Sequence, residues 1–107
     1  MNKLICLVIA TLSLSASGVF AADADAAQMA KNLCAGCHGP QGISTNELWP
    51  NLAGQKAAYT EKQLRAYRDG TRVDPNMSGL STTLTDELIE DLAAYYAVIE
   101  YAVALGI

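Results

Sequence analysis

The sequence predicts a small all-α domain, three main helices joined by irregular loops. Three stretches repeat apolar residues at helical spacing. No run alternates apolar with polar residues over any length, so no sheet is expected. Between the helical stretches, glycines and prolines cluster, which marks irregular chain.

The first helix is expected from about Asp23 to Ala35. Asp23 and Asp25 place negative charge where a helix N-terminus favours it. Ala26, Met29, Ala30 and Leu33 give the apolar side, and Gly36 and Gly39-Pro40 should end the helix. Residues 39–54 then hold three glycines and two prolines, with Ile43, Leu48, Trp49 and Leu52 among them. Apolar side chains in a loop need a surface to bury against, and a flat apolar cofactor would supply one. The second helix is expected over Lys56 to Asp69, with Ala57, Tyr59, Gln63, Leu64 and Tyr67 on its apolar side and Gly70 as a left-handed cap. Lys62, Arg65 and Arg68 read as its wet face. Residues 71–84 are again expected to be irregular. Thr85 reads as an N-cap, followed by Asp86 and Glu87 in the first turn. The last helix should carry Leu88, Leu92, Tyr95, Tyr96, Ile99 and Val103 on one stripe.

The front of the chain reads differently. Asn2-Lys3 is a short basic start, Leu4 to Leu14 is largely apolar, and Val19-Phe20-Ala21 offers a small-residue exit. That order is a secretory signal peptide, expected over residues 1–21, with the working domain over 22–107. The segment is too dilute in apolar residues for a spanning helix, which wants ~20 of them in a row. No stable membrane insertion is expected after cleavage. Cys6 comes too early to be a lipidated cysteine.

The domain that remains has six basic residues (Lys31, Lys56, Lys62, Arg65, Arg68 and Arg72) against eleven acidic ones, a formal charge of −5. Such an acidic surface disfavours nucleic acid as a partner. It offers a docking face to a positively charged patch, though net charge also serves solubility. A domain this small usually needs a staple. Cys34 and Cys37 are too close in sequence for a disulfide between them to remove much chain entropy.

Cys34-Ala35-Gly36-Cys37-His38 is a C-x-x-C-H segment, the pattern that attaches haem c. Two thiols on one turn of chain reach the two vinyl groups on one porphyrin edge. The adjacent histidine then lies under the iron. Zinc is a weaker reading, because only three Cys or His ligands remain once the expected leader with Cys6 is removed, and four are wanted. A thiol–disulfide oxidoreductase would carry its C-x-x-C in a βαβ context, and no strands are expected here. A plain disulfide with a chance histidine is weaker again. One covalent haem c, with its iron, is the expected cofactor.

A second axial ligand is needed for a six-coordinate iron. His38 is the only histidine in the sequence. Met29 lies five residues before Cys34, on the helix that leads into the motif. Met77 lies in a turn-rich segment about forty residues downstream, where the chain has had room to wrap round. Met77 is therefore the distal candidate, against the plainer reading of a loop methionine or core filler.

In these features the chain resembles the class I bacterial c-type cytochromes, of the small mono-haem periplasmic kind similar to a cytochrome c4 or c553 domain. Cys34 to Gly39 resembles the family's attachment segment. Trp49-Pro50-Asn51-Leu52-Ala53-Gly54-Gln55 is similar to its Pro-Leu-Gly-Gln loop. Asp69-Gly70-Thr71-Arg72 resembles the end of its middle helix, and Leu92-Ala93-Ala94-Tyr95-Tyr96 its last helix. The resemblance implies a small class I cytochrome c fold wrapped round the haem. It implies that Pro50 offers its backbone carbonyl to the second ring nitrogen of His38. It also implies that Ala26 and Ala30 cross Tyr95 or Tyr96. Leu52 and Tyr59 are counted among the haem-binding side chains.

His/Met ligation fills both axial positions and raises the potential, which favours electron transfer over catalysis. The expected function is a periplasmic single-electron carrier with no enzyme activity, docking transiently on redox proteins through an edge near Cys34, Ile43 and Met77. A dehydrogenase or oxidase could be such a partner. The alternative is a haem-bearing electron-accepting subunit fixed to a periplasmic dehydrogenase, for which the apolar tail (Ile99, Tyr101, Val103, Leu105, Ile107) could serve. A haem enzyme or gas sensor would need a labile Met77.

Overall fold

A computed structural model describes residues 19–100 and 106–107, with side chains from Ala24 onward. The expected leader, residues 1–21, lies almost wholly outside the described residues, as do Tyr101 to Leu105 of the apolar tail. The described chain is helical and without strands. Helix α1 (Val19–Met29) runs into a π-helical turn (Ala30–Cys34) and then α2 (Ala35–His38). Helices α3 (Ala57–Asp69), α4 (Met77–Ser81) and α5 (Asp86–Ala97) come next, separated by loops. Among these residues no helix is long and apolar enough to cross a membrane.

The first helical stretch is longer than its sequence pattern indicates. It begins before Asp23, so Asp23 and Asp25 lie within it rather than at its start. It also continues through Gly36 and ends only at Gly39, which has φ 84° and ψ 156°. Gly36 does not stop the helix because a helical glycine costs only ~1 kcal/mol relative to alanine, which packing readily outweighs. Gly39 does stop it, since that backbone region is essentially open to glycine alone. A Cβ on Gly39 would land on the carbonyl oxygen of Ile43.

Helix α3 keeps the expected span and ends on Gly70 in the left-handed conformation, whose amide donates to the Ala66 carbonyl at 3.0 Å. Helix α5 starts on Thr85, whose hydroxyl accepts from the Leu88 amide at 3.2 Å. It ends at Ala97, short of Ile99, while Val103 of the expected stripe lies outside the described residues. The Tyr96 carbonyl is taken by the amides of Gly54 (2.9 Å) and Ile99 (3.2 Å), so the helix cannot propagate. Helix α4 falls in a segment expected to be irregular. It is one short turn, below the length at which periodicity can be read.

The core is small. Ala26, Ala30, Leu84, Ile89, Leu92 and Tyr96 form one buried cluster, with Met29, Cys34 and Tyr95 packed against it. Ala26 of α1 and Ala30 of the π turn let the first helical stretch approach the aromatic face of α5. There Tyr95 and Tyr96 pack edge to face, with ring centroids 5.1 Å apart. Gly42 closes the joint, because its Cβ would stand 3.0 Å from the Tyr96 ring and 2.8 Å from the Ala53 amide. No residue of α3 is buried. Its apolar side faces a cavity instead.

Arg65 and Arg68 are more than a wet face. Arg65 pairs with Glu61 and Glu90, each at 3.0 Å, and Arg68 with Asp86 at 2.8 Å. Arg68 also donates to the Leu84 carbonyl at 3.3 Å. These bonds tie α3 to the start of α5. Helical spacing exposes a basic face but cannot show that an acidic one lies opposite it.

Candidate functional site

The π turn decides which way the attachment segment looks. Its wider coil closes on the Ala35 amide, which reaches back to the Ala30 carbonyl. One added residue per turn rotates the chain beyond it, a device common at functional sites. Cys34, Cys37 and His38 then all border one cavity of about 370 Å³. Both cysteines are unpaired thiols and half-buried, and His38 is buried.

The loop after α2 is bound back onto that segment. Ser44 donates its hydroxyl to the Cys37 carbonyl at 3.2 Å, and its amide donates to Asn51 Oδ1 at 2.7 Å. The Gly42 carbonyl accepts from the amides of Leu52 (2.7 Å) and Ala53 (3.0 Å). So pinned, Pro50 presents its carbonyl to His38 Nδ1 at 2.7 Å. A carbonyl only accepts, so Nδ1 carries the proton. Nε2 is then the ring nitrogen with a free lone pair.

The rest of the cavity is mostly apolar. Leu48, Trp49 and Leu52 come from the loop, and Tyr59, Leu64 and Tyr67 from α3. Leu80, Leu84, Leu92 and Tyr96 complete it from the last third of the chain. Met77 lies on the same wall system, at the first position of α4. Met29 does not border the cavity and packs on the core cluster. Ile43, expected near the exposed edge, does not line the cavity.

Other contacts around the cavity cannot be read from the sequence. Tyr96 is buried, and its hydroxyl lies beside the Cys34 sulfur. Burial pushes the Cys34 thiol up, while that hydroxyl acts in the opposite direction. The Tyr96 phenol is itself pushed far up, chiefly by burial and then by the neighbouring Cys34. Arg72 stacks on the Tyr67 ring at 4.6 Å and donates to Gln63 Oε1 at 2.6 Å. Asp74 accepts from the amides of Met77 and Asn76, which hold its carboxyl below the usual range. No periodicity marks these contacts, since each acts across a turn or between elements.

A cavity of this size and lining suits a flat apolar ligand with one polar edge. Two thiols on one turn, an oriented imidazole and a thioether are soft and borderline donors, the kind that haem iron and its vinyl edge use. The residues present fit haem c.

Comparison with known proteins agrees. The cytochrome c family model matches residues 24–97. The chain belongs to the cytochrome c family. This cytochrome is 41% identical over 97 residues to cytochrome c4 of Pseudomonas aeruginosa, which covers 91% of the chain but 48% of that protein. It is 42% identical over 80 residues to cytochrome c-554(548) of Halomonas halodenitrificans, covering 72% of the chain and 96% of that protein. The crystal structure of reduced cytochrome c4 from Pseudomonas stutzeri superposes with a TM-score of 0.64 at 33% identity, over 75% of this chain and 50% of that one. A protein of Stutzerimonas stutzeri named as a thiosulfate dehydrogenase electron acceptor is 42% identical over 67 residues, 60% of this chain and 31% of that protein. The chain thus spans about half the length of the cytochrome c4 relatives it matches. The matched region, residues 24–97, is a cytochrome c domain. The cofactor of such a domain is haem c.

Proposed function

We propose that this cytochrome carries single electrons in a bacterial periplasm through one haem, bound covalently by Cys34 and Cys37 and ligated by His38 and Met77. The observation that carries the ligand reading is the meeting of an oriented imidazole and Met77 on one apolar cavity. Haem supplies an iron that changes oxidation state by one electron. The chain does the rest. Pro50 fixes the tautomer and direction of His38, while Leu52, Tyr59 and Leu64 keep water from the cavity. A rigid, dry surround needs little rearrangement when charge changes.

Met77→Ala tests the reading. The purified protein should keep its haem through acid–acetone extraction, lose the weak red band of the oxidised form, and bind exogenous ligands. A retained red band would overturn Met77 as the ligand. The leader pattern supports the periplasmic location. Osmotic-shock release of a chain beginning near Ala22 is expected, and cytoplasmic retention of the uncut chain would refute it.

The acidic surface supports transient docking on a basic partner face, with complementarity acting on the association rate. A second reading, an electron acceptor fixed to a dehydrogenase, is favoured by the likeness to the thiosulfate dehydrogenase electron acceptor. Gel filtration of native periplasm separates the two, because a fixed subunit co-elutes with a large enzyme and a carrier elutes alone.

A further inference from the structure

Met77 opens α4, and α4 is only five residues long. A helix of that length does not hold itself together in water. Something outside it must fix where Met77 stands.

Asp74 is that support. Its Oδ1 accepts from two successive amides, Asn76 and Met77, each at 2.8 Å. The Asp74 amide donates to the Ser78 hydroxyl at 2.9 Å, and the Ser78 amide donates to the Asp74 carbonyl at 3.2 Å. Four hydrogen bonds therefore join one residue to three consecutive ones. Pro75 stands between them with its φ already restricted, so little freedom is left to the turn. Asp74 also borders the cavity that Met77 borders, and it is the only carboxylate among the lining residues. It is partly exposed and shares that lining with Arg72 and Asn76, so its part there is set by the bonds it makes. Here the bonds it makes are to the backbone at Met77.

We propose that Asp74 is a positioning residue for Met77, its carboxylate holding the backbone so that the Met77 side chain stays toward the cavity. The inference rests on the reading of Met77 as distal ligand. A weaker hold raises the fraction of molecules with Met77 withdrawn. A competing ligand then binds more tightly in proportion to that fraction.

The test is imidazole titration of the oxidised holoprotein, read with the red band. Asp74→Ala should raise imidazole affinity roughly fivefold to tenfold, the size of a lost helix cap acting on this equilibrium, and weaken the band. Asp74→Asn keeps an acceptor oxygen that caps as well, and should stay within about twofold. Ser78→Ala removes one reciprocal bond and should give a smaller rise, which covers the case of a poorly folding Asp74→Ala. Thr85→Ala is the control: it removes the cap of α5, lowers stability comparably, and should leave imidazole affinity unmoved.

An unchanged affinity in Asp74→Ala and Ser78→Ala, alongside a large rise in Met77→Ala, would overturn the positioning role and leave the ligand reading standing. An equal rise in Thr85→Ala would overturn it too, reducing the effect to general loosening. A Met77→Ala protein with wild-type band and affinity would sink the ligand reading, and the positioning role with it.

Discussion

His38 Nδ1 and the Pro50 carbonyl lie 2.7 Å apart, joining the attachment segment to a loop twelve residues on. The acceptor is main chain, so no side-chain substitution removes it outright. What Pro50 adds is stiffness. Pro50→Ala should keep the bond and the haem but enlarge the freedom of the unfolded chain. A loss of ~0.4–1 kcal/mol is expected, read as a lower urea midpoint with an unchanged slope. Loss of haem ligation in this variant would mean that the ring itself, rather than the carbonyl, orients His38.

Gly39 comes directly after His38 and takes φ 84° with ψ 156°. Any Cβ there meets the Ile43 carbonyl, which is backbone and cannot swing aside. Gly39→Ala should cost on the order of 1–3 kcal/mol from backbone strain alone. Haem attachment should also fall, because the loop carrying Pro50 would be displaced from His38. Urea melts and the haem-to-protein absorbance ratio check both. Gly70→Ala is a useful contrast. Its φ is also positive, at 86°, but a Cβ there meets nothing, so only stability should suffer.

Much of this site is legible without the fold. C-x-x-C-H is a contiguous motif, so Cys34, Cys37 and His38 are visible in one line of sequence. Met77 can be named by elimination, there being one histidine and few methionines. The ends of α3 and the start of α5 are legible for a similar reason: Gly70 and Thr85 are local signals with local physics. Whatever depends on contact across space stays hidden. The π turn at Ala30–Cys34 leaves no compositional mark. Helix α4 is shorter than two turns. The pairing of Arg68 with Asp86, and of the Tyr96 hydroxyl with Cys34, joins residues far apart in sequence whose types are ordinary for exposed and buried helix faces.

Asp86 sets a pH dependence of stability. The Arg68 guanidinium, 2.8 Å away, holds its carboxyl below the usual range, with Arg65 helping. A carboxyl depressed on folding stabilises the folded state while ionised. That contribution is present above about pH 4, the ordinary value for aspartate, and is lost as pH falls through the lowered folded value. The side chain is 63% exposed, so the effect is small and weakened by salt. Asp86→Asn should lower the melting temperature modestly at pH 7 and low salt. The gap from wild type should narrow at pH 3 and at high salt. A gap that stays constant across both would assign the loss to packing or to the helix start instead of the ion pair.

Tyr96 joins several elements at once. Its ring packs on Tyr95 and over Gly42, its carbonyl receives the Gly54 and Ile99 amides, and its hydroxyl lies beside the Cys34 sulfur. Ring and hydroxyl can be separated. Tyr96→Phe keeps the ring and should cost no more than the ~0.5–1.5 kcal/mol that one hydrogen bond is worth net. Tyr96→Ala removes the ring from the crossing of α1 and α5 and should cost ~3–5 kcal/mol, as large aromatic truncations do. That is a large share of the ~5–15 kcal/mol that holds an ordinary domain together. Denaturant melts of the two holoproteins measure the difference. Equal losses would mean that the hydroxyl, and so its contact with Cys34, carries the contribution assigned here to packing.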